Sequence, residues 1–372
     1  MDIYKRLKLK EVINASGKMT KLGVSGVSDE VAETARYALQ NYFHIDEMMI
    51  AVGGVIADVT GAEDGCPTVG AAAGISIATA AIITEGKEDL VSYMPHSKGL
   101  KNEILIPRGH IINFGADIRQ MIAVGGGVPV VVGTEEALTI RDIELAITPQ
   151  TAALMYVKSH TTENYSMISM KQLLNIAHKN DLPLIVDAAA EYDFQKYISM
   201  GVDIVIYSGS KALAGPTSGM ICGRSFYMEA CRAQYNGIAR TMKIGKEGMA
   251  GLAAALLEYP DKVMPRKEQI KVLDVMKEIV DETPGIRYSI IQDEAGRNIY
   301  RGRIEVIENE INISANELYR ALKENDPSIV LRNHKQQQEI LDIDPRNLKM
   351  GQEKMIANKI KSIVEESTKQ QK

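Results

Sequence analysis

The feature that most constrains the fold is an alternation of short, almost wholly apolar runs with helical patterns through the first two-thirds of the chain. The runs lie at residues 103–106, 128–132, 151–157, 183–186 and 203–207. A strand that faces water on one side alternates apolar and polar residues, whereas a strand apolar at nearly every position is covered on both sides. Such strands separated by helices predict an α/β protein with a mostly parallel sheet and helices on both faces. Ligands of these sheets sit at the carboxyl ends of the strands, so chemistry is expected in the residues that follow each run. From about Lys246 the pattern changes to longer helices with short strands around 288–291, 302–306, 329–331 and 339–343, closed by a helix over 351–365. The expected organisation is an N-terminal arm at the site or interface (1–23), a large domain (24–245) and a smaller C-terminal α/β domain (246–372).

With 372 residues, 45% of them hydrophobic, the chain is long enough to bury two cores. Its formal charge of -5 supplies no overall basic footprint for nucleic acid, so an anionic ligand must be met by a local cluster. Cys66, Cys222 and Cys231 are odd in number and lack paired spacing, which argues against a disulfide framework and against a zinc site; no metal is expected. The chain opens Met1-Asp2-Ile3-Tyr4-Lys5 without an apolar signal segment, and no apolar run reaches the ~20 residues that span a bilayer. Cytoplasmic residence and no membrane partner are the resulting expectations.

The run 203–207 leads into Ser208-Gly209-Ser210-Lys211-Ala212-Leu213-Ala214-Gly215-Pro216, a small-residue turn presenting one lysine. A lysine there can act as a Schiff-base nucleophile. Upstream, the run 183–186 ends in Asp187. A lysine and a carboxylate at neighbouring strand ends are what a pyridoxal 5'-phosphate (PLP) site requires. The lysine holds the aldehyde carbon, and the aspartate keeps the pyridine nitrogen protonated so that the ring accepts electrons. Two plainer readings stand beside this one. Ser208 and Lys211 match S-x-x-K of certain serine hydrolases, although the partner motifs S-D-N and K-T-G are absent. An aspartate after a strand also commonly caps a helix.

The cofactor's phosphate needs backbone N–H donors. Residues 64–74 read as the opening of a long Ala-rich helix, whose N-terminus binds phosphate through free amides, so Thr68, Val69 and Gly70 are the expected anchors. Ser208 offers a further hydroxyl. His110 follows the run 103–106 and could stack on the cofactor ring or serve as a hydrogen-bonded structural residue. His160, after the run 151–157, is a candidate cofactor contact or proton donor to a leaving group. Basic groups for the substrate are sought in the polar arm with Asn14 and Ser16, in Arg240 and Lys243, and in Arg332 and Arg346, either of which could fork onto a carboxylate.

Taken in order, Asn14-Ala15-Ser16-Gly17, Leu22-Gly23, Thr60-Gly61-Ala62-Glu63, Arg108-Gly109, Ser208-Gly209-Ser210-Lys211 with Gly215-Pro216, and Arg240-Thr241-Met242-Lys243 resemble the selenocysteine synthase-like branch of the fold-type I PLP enzymes. The resemblance covers roughly residues 10–260 and extends weakly to the end. It implies the fold-type I transferase fold, PLP as cofactor and a homodimer or higher homo-oligomer whose partner subunit can supply the arm. Three departures from selenocysteine synthase stand out: the chain begins almost at the arm, residues 91–102 look inserted, and the charge is acidic. They point away from transfer RNA and toward a phosphorylated small-molecule amino acid. The resemblance then implies a lyase that releases ammonia from a phosphorylated 2-amino sugar acid. In that activity Lys211 takes the Cα proton, Lys211 or His160 protonates the departing 3-hydroxyl, and Arg240, Lys243 and the arm grip the distal phosphate. Another PLP-dependent lyase or racemase, or a tRNA-dependent transferase, remains the alternative.

Overall fold

The computed structural model describes residues 3–113, 115–134, 137–159, 168–262, 264–293 and 297–369. They form two compact units, 26–261 and 1–25 together with 262–372. After an opening strand β1 (Val12–Ala15) that belongs to the smaller unit, the larger unit builds a seven-stranded sheet. Its strands are β2 (Asp64–Thr68), β3 (Glu103–Pro107), β4 (Val128–Val132), β5 (Thr151–Val157), β6 (Leu184–Asp187), β7 (Ile204–Ser208) and β8 (Gly219–Gly223). The spatial order is β2-β8-β7-β6-β5-β3-β4. From β7 to β4 every pair is parallel, while β8 is antiparallel to both β7 and β2.

The five apolar runs read from the sequence are all strands of this sheet, and their residues at 104–106, 153–155, 184–186 and 204–207 are buried. The expectation of a helix opening at 64 is corrected. Residues 64–68 are strand β2, and the helix begins at Ala71 and ends at Thr84. Pro67, which supplies no N–H, is tolerated because β2 is an edge strand bonded only to β8. The helix itself is apolar on nearly every side, as a helix covered by sheet and neighbouring helices must be. It lies so close to β7 that a Cβ on Gly74 would come within 2.8 Å of Ile206 Cγ2.

Register gathers the site. Val157 pairs with Asp187, Asp187 with Ile206, Ser208 with Gly219, and Gly219 with Thr68. The carboxyl ends of β5, β6, β7 and β2 therefore share one edge of the sheet with the start of β8.

In the smaller unit, β9 (Ile286–Gln292), β10 (Tyr300–Val306) and β12 (Ile340–Ile343) form an antiparallel sheet in the order β12-β10-β9. The arm strand β1 pairs in parallel with β11 (Ser328–Leu331), burying Ile13 and Ala15 with Leu273, Leu318 and Ile360. The arm thus belongs to the smaller unit. Helix Lys246–Lys262 instead sends Met249, Leu252, Ala255 and Leu256 into the core of the larger one, moving the division from the expected 245 to 261. Burial of each such leucine contributes about 1.5–3 kcal/mol, enough to decide which core a helix joins.

Candidate active site

Asp187 is the last residue of β6 and is 4% exposed. Its Oδ1 accepts a hydrogen bond from the Ala189 N–H at 3.0 Å, and Oδ2 accepts none among the described residues. Burial pushes the carboxyl pKa up, and the Ala189 N–H and the positive charge of Lys211 oppose that push. A carboxylate so buried and so sparsely bonded is at its most stable against a cation that donates to Oδ2.

Lys211 lies in the connection between β7 and β8. Gly215 N–H donates to Gly209 O and Gly209 N–H to Ser218 O, each at 2.8 Å, which pinches the loop at its base. Only glycine fits at 209, where a Cβ would stand 2.1 Å from Ser218 Oγ. Ala214 takes a left-handed conformation with φ 56° and donates its N–H to Lys211 O at 3.2 Å. Such a conformation in a non-glycine residue costs about 1 kcal/mol or more, which the surrounding turn must offset. Ser208 Oγ sits 3.3 Å from Ser210 Oγ on the near side of the lysine.

Thr68, Val69 and Gly70 join β2 to the helix Ala71–Thr84, with Gly70 as N-cap. The Thr68 hydroxyl donates to Gly70 O at 3.0 Å, which fixes the turn. A Cβ on Gly219 would meet Gly70 C at 2.6 Å and Ala71 N at 2.8 Å, so a glycine on β8 is what lets the helix start reach the sheet edge. The first-turn amides have no helical acceptor, so they can serve as a cradle for an anion at the same edge as Asp187. The cradle, the exposed-side lysine loop and the under-bonded buried carboxylate together fit PLP.

His110 ends the short helical turn Arg108–His110 after β3 and is fully buried. Its Nδ1 accepts from the Val157 N–H at 3.2 Å, and its ring stands edge-on to Tyr156 at 4.2 Å between centroids. Burial, aided by the charge of Lys158, pulls its pKa down to about 4, so the ring is neutral with its proton on Nε2. That Nε2 has no hydrogen-bond partner among the described residues. The ring's visible work is to bond the end of β5. His160 lies outside the described residues.

The expected substrate-binding residues separate into three groups. Asn14 and Ser16 are occupied in a turn of the arm: Asn14 Oδ1 accepts from Ser16 N–H at 3.0 Å and Ser16 Oγ at 2.9 Å, and Asn14 Nδ2 donates to Gly17 O. Arg240 and Lys243 are exposed at the end of the turn Ile238–Met242. Arg332 and Arg346 are brought together in the smaller unit with two residues the sequence reading missed, Arg301 and Asp344. Arg346 forks onto Asp344 through Nε at 2.9 Å and NH2 at 2.7 Å. Arg301, on β10, bonds Asp293 at 2.7 Å. In a strand of alternating burial, an arginine reads as a solvent position, so no sequence signal marked it.

Residues 12–285 match the family whose description is SelA, L-seryl-tRNA selenium transferase. Over 98% of both chains, the sequence is 42% identical to D-glucosaminate-6-phosphate ammonia lyase of Salmonella typhimurium. It is 36% identical to 5'-C-glycyluridine monooxygenase-decarboxylase of a Streptomyces species, over 97% of this chain and 92% of that one. A solved structure of D-glucosaminate-6-phosphate ammonia-lyase superposes with a TM-score of 0.93, covering 99% of each chain at 41% identity. The chain therefore belongs to the SelA-like family of fold-type I PLP-dependent enzymes.

Proposed function

We propose that this protein is a PLP-dependent ammonia-lyase that converts D-glucosaminate-6-phosphate, or a related phosphorylated 2-amino sugar acid, to 2-keto-3-deoxy-6-phosphogluconate and ammonia. The observation that carries the reading is the sparsely bonded carboxylate of Asp187 beside the Lys211 loop, in a chain 42% identical over its length to a protein of that name. Lys211 would hold the cofactor's aldehyde carbon, Asp187 its ring nitrogen, and Thr68, Val69 and Gly70 with Ser208 its phosphate. When bound, the cofactor supplies the electron sink that makes the substrate's Cα–H acidic. The Lys211 amine would take the Cα proton. The hydroxyl on C3 leaves as water with a proton from Lys211 or His160, and a second water then displaces ammonia at C2, so water is lost and regained. His110, neutral and bonded to Val157, positions the end of β5.

The relative named as a monooxygenase-decarboxylase supports a second reading, oxidative decarboxylation of an amino acid on the same groups. A tRNA-dependent transferase is disfavoured by the net charge of -5. PLP-loaded protein given D-glucosaminate-6-phosphate should release keto acid and ammonia in equal amounts without oxygen uptake. Oxygen uptake with release of carbon dioxide would favour the second reading.

We also read the protein as a homodimer or higher homo-oligomer in the cytoplasm. Tyr37, Leu39, Tyr42 and Ile50 are exposed on the larger unit, Tyr42 by 98%, and large side chains so exposed favour contact with another copy of the chain. Light scattering that found a fully active monomer would remove this. Among the described residues no helix is long and apolar enough to cross a membrane.

A further inference from the structure

We propose that the larger unit pairs with that of a second copy through one face of the helix Lys246–Lys262, the two helices antiparallel and Leu257 of each seated in the alanine groove of the other. This rests on the reading of the protein as a homo-oligomer and names the surface that the second copy takes.

The helix is apolar on two sides. Met249, Leu252, Ala255 and Leu256 enter the core of the larger unit. Ala250, Ala253, Ala254 and Leu257 recur at the spacing of a second stripe and line a groove of about 820 Å³ with Met48 and Val55 of the helix Ile45–Thr60. Leu257 is 68% exposed, and the alanines beside it are half-buried. A helix with two apolar stripes is at its most stable with both covered, and the larger unit covers only the first in full.

The charges select a second copy as the cover. The helix Asp29–Gln40 runs antiparallel to Lys246–Lys262. Its N-cap, Ser28, donates through Oγ to Glu258 at 2.7 Å, and at its other end Lys246 Nζ donates to Leu39 O at 3.3 Å and to Asn41 O. A cation and a carboxylate thus mark opposite ends of the alanine stripe, about 18 Å apart along the helix. Lys246 lies over the Tyr42 ring, and its third N–H has no acceptor among the described residues. The groove's other carboxylates, Glu30 and Glu47, stand in the first turns of their own helices, whose N-termini favour them.

A two-fold axis repeats every contact with the roles exchanged, so a face complements itself only when opposite features lie equally far on either side of the axis. An axis near Leu252 meets that condition. It sets Lys246 against the partner subunit's Glu258 and Ala250 against the partner subunit's Ala254, and it gives Leu257 the hollow over the alanines. Small side chains at the crossing let two helices approach to the close end of their usual separation. The apolar stripe then supplies affinity and the charge pairs supply orientation; a parallel pairing would set lysine against lysine.

The test uses the full-length, PLP-loaded protein. Sedimentation equilibrium gives the dissociation constant for wild type, Leu257→Asp, Lys246→Glu, Glu258→Lys, the double variant Lys246→Glu/Glu258→Lys, and Tyr93→Asp, an exposed residue outside the groove. We expect Leu257→Asp to weaken association about tenfold or more, each charge variant to weaken it less, and the double variant to recover most of that loss. Lys246 also bonds the end of a helix, so if its variants fail to fold, the exposed Leu257 decides. Amide exchange over residues 250–255 should quicken when Leu257→Asp dissociates. An unchanged constant in Leu257→Asp would overturn the proposal and keep the homo-oligomer reading, as would an equal loss in Tyr93→Asp. A folded double variant as weak as the single ones would overturn the antiparallel pairing. Exchange as slow in dissociated Leu257→Asp as in wild type would mean that another segment of the same chain fills the groove, and would overturn the proposal too. A monomeric wild type would reject the proposal and the homo-oligomer reading together.

Discussion

Asp187 on β6 is the in-register partner of Ile206 on β7, and that pairing sets the strand that ends in Asp187 beside the one that leads to Lys211. Two residues past Ile206 the strand ends at Ser208, and the pinched turn then presents Lys211. The carboxylate and the lysine come within each other's electrostatic reach because parallel neighbours deliver their carboxyl ends to the same edge.

Replacing Asp187 by Asn should separate stability from activity. Burial raises the Asp187 pKa above its ordinary 3.8, so the folded cofactor-free protein binds this proton more tightly than the unfolded chain and loses stability as pH rises above that value. Cofactor-free Asp187→Asn lacks this loss and should melt at least as high as wild type at neutral pH. With PLP and substrate, the same variant should lose roughly 10²-fold or more in kcat. Thermal melts with and without PLP, beside steady-state kinetics, check both halves; a cofactor-free variant that melts well below wild type would contradict the first.

Gly219→Ala should damage the phosphate cradle from below. The added Cβ meets backbone atoms of Gly70 and Ala71 rather than a flexible side chain, so the helix start must move. An overpacking cost of about 1–3 kcal/mol is expected in denaturant unfolding. PLP retention on dialysis should fall in parallel, whereas a variant that unfolds more easily yet retains PLP like wild type would place the cofactor phosphate elsewhere.

Lys18 should give a pH signature. Burial and the charge of Arg346 pull its pKa down to about 8, with Asp344 acting the other way. A lysine lowered on folding contributes stability that is present above its unfolded value of 10.5 and lost as pH falls through about 8. Lys18→Met should therefore be more stable than wild type at pH 7, with the difference closing above pH 10.5. Melting curves across pH test this, and a variant less stable than wild type at pH 7 would contradict it.

The central parallel strands were readable because burial on both faces leaves almost no polar positions: β5 coincides with its apolar run to the residue, and so does the edge strand β4, whose valines are only partly covered. Asp187 and Lys211 stood out because each follows such a run. β2 and β8 did not, since Asp-Gly-Cys-Pro-Thr and Gly-Met-Ile-Cys-Gly are short, carry glycine or proline, and become strands only by pairing with each other and with β7. The arm's membership of the smaller unit depends on the pairing of Val12–Ala15 with Ser328–Leu331, a contact that local pattern does not encode. Arg301 and Asp344 were missed for a related reason: a buried ion-pair network is built from residues that individually look solvated, and only the fold gathers them.

The central claim is that Lys211 is the residue that carries the cofactor and moves the substrate proton. Its most direct test is borohydride reduction of PLP-loaded protein followed by peptide mass spectrometry, with keto acid release from D-glucosaminate-6-phosphate measured on the same preparation and on Lys211→Ala. The account predicts a pyridoxyl group on the peptide containing Lys211, and neither adduct nor turnover in the variant. A pyridoxyl group on another lysine, or turnover retained by Lys211→Ala, would contradict it.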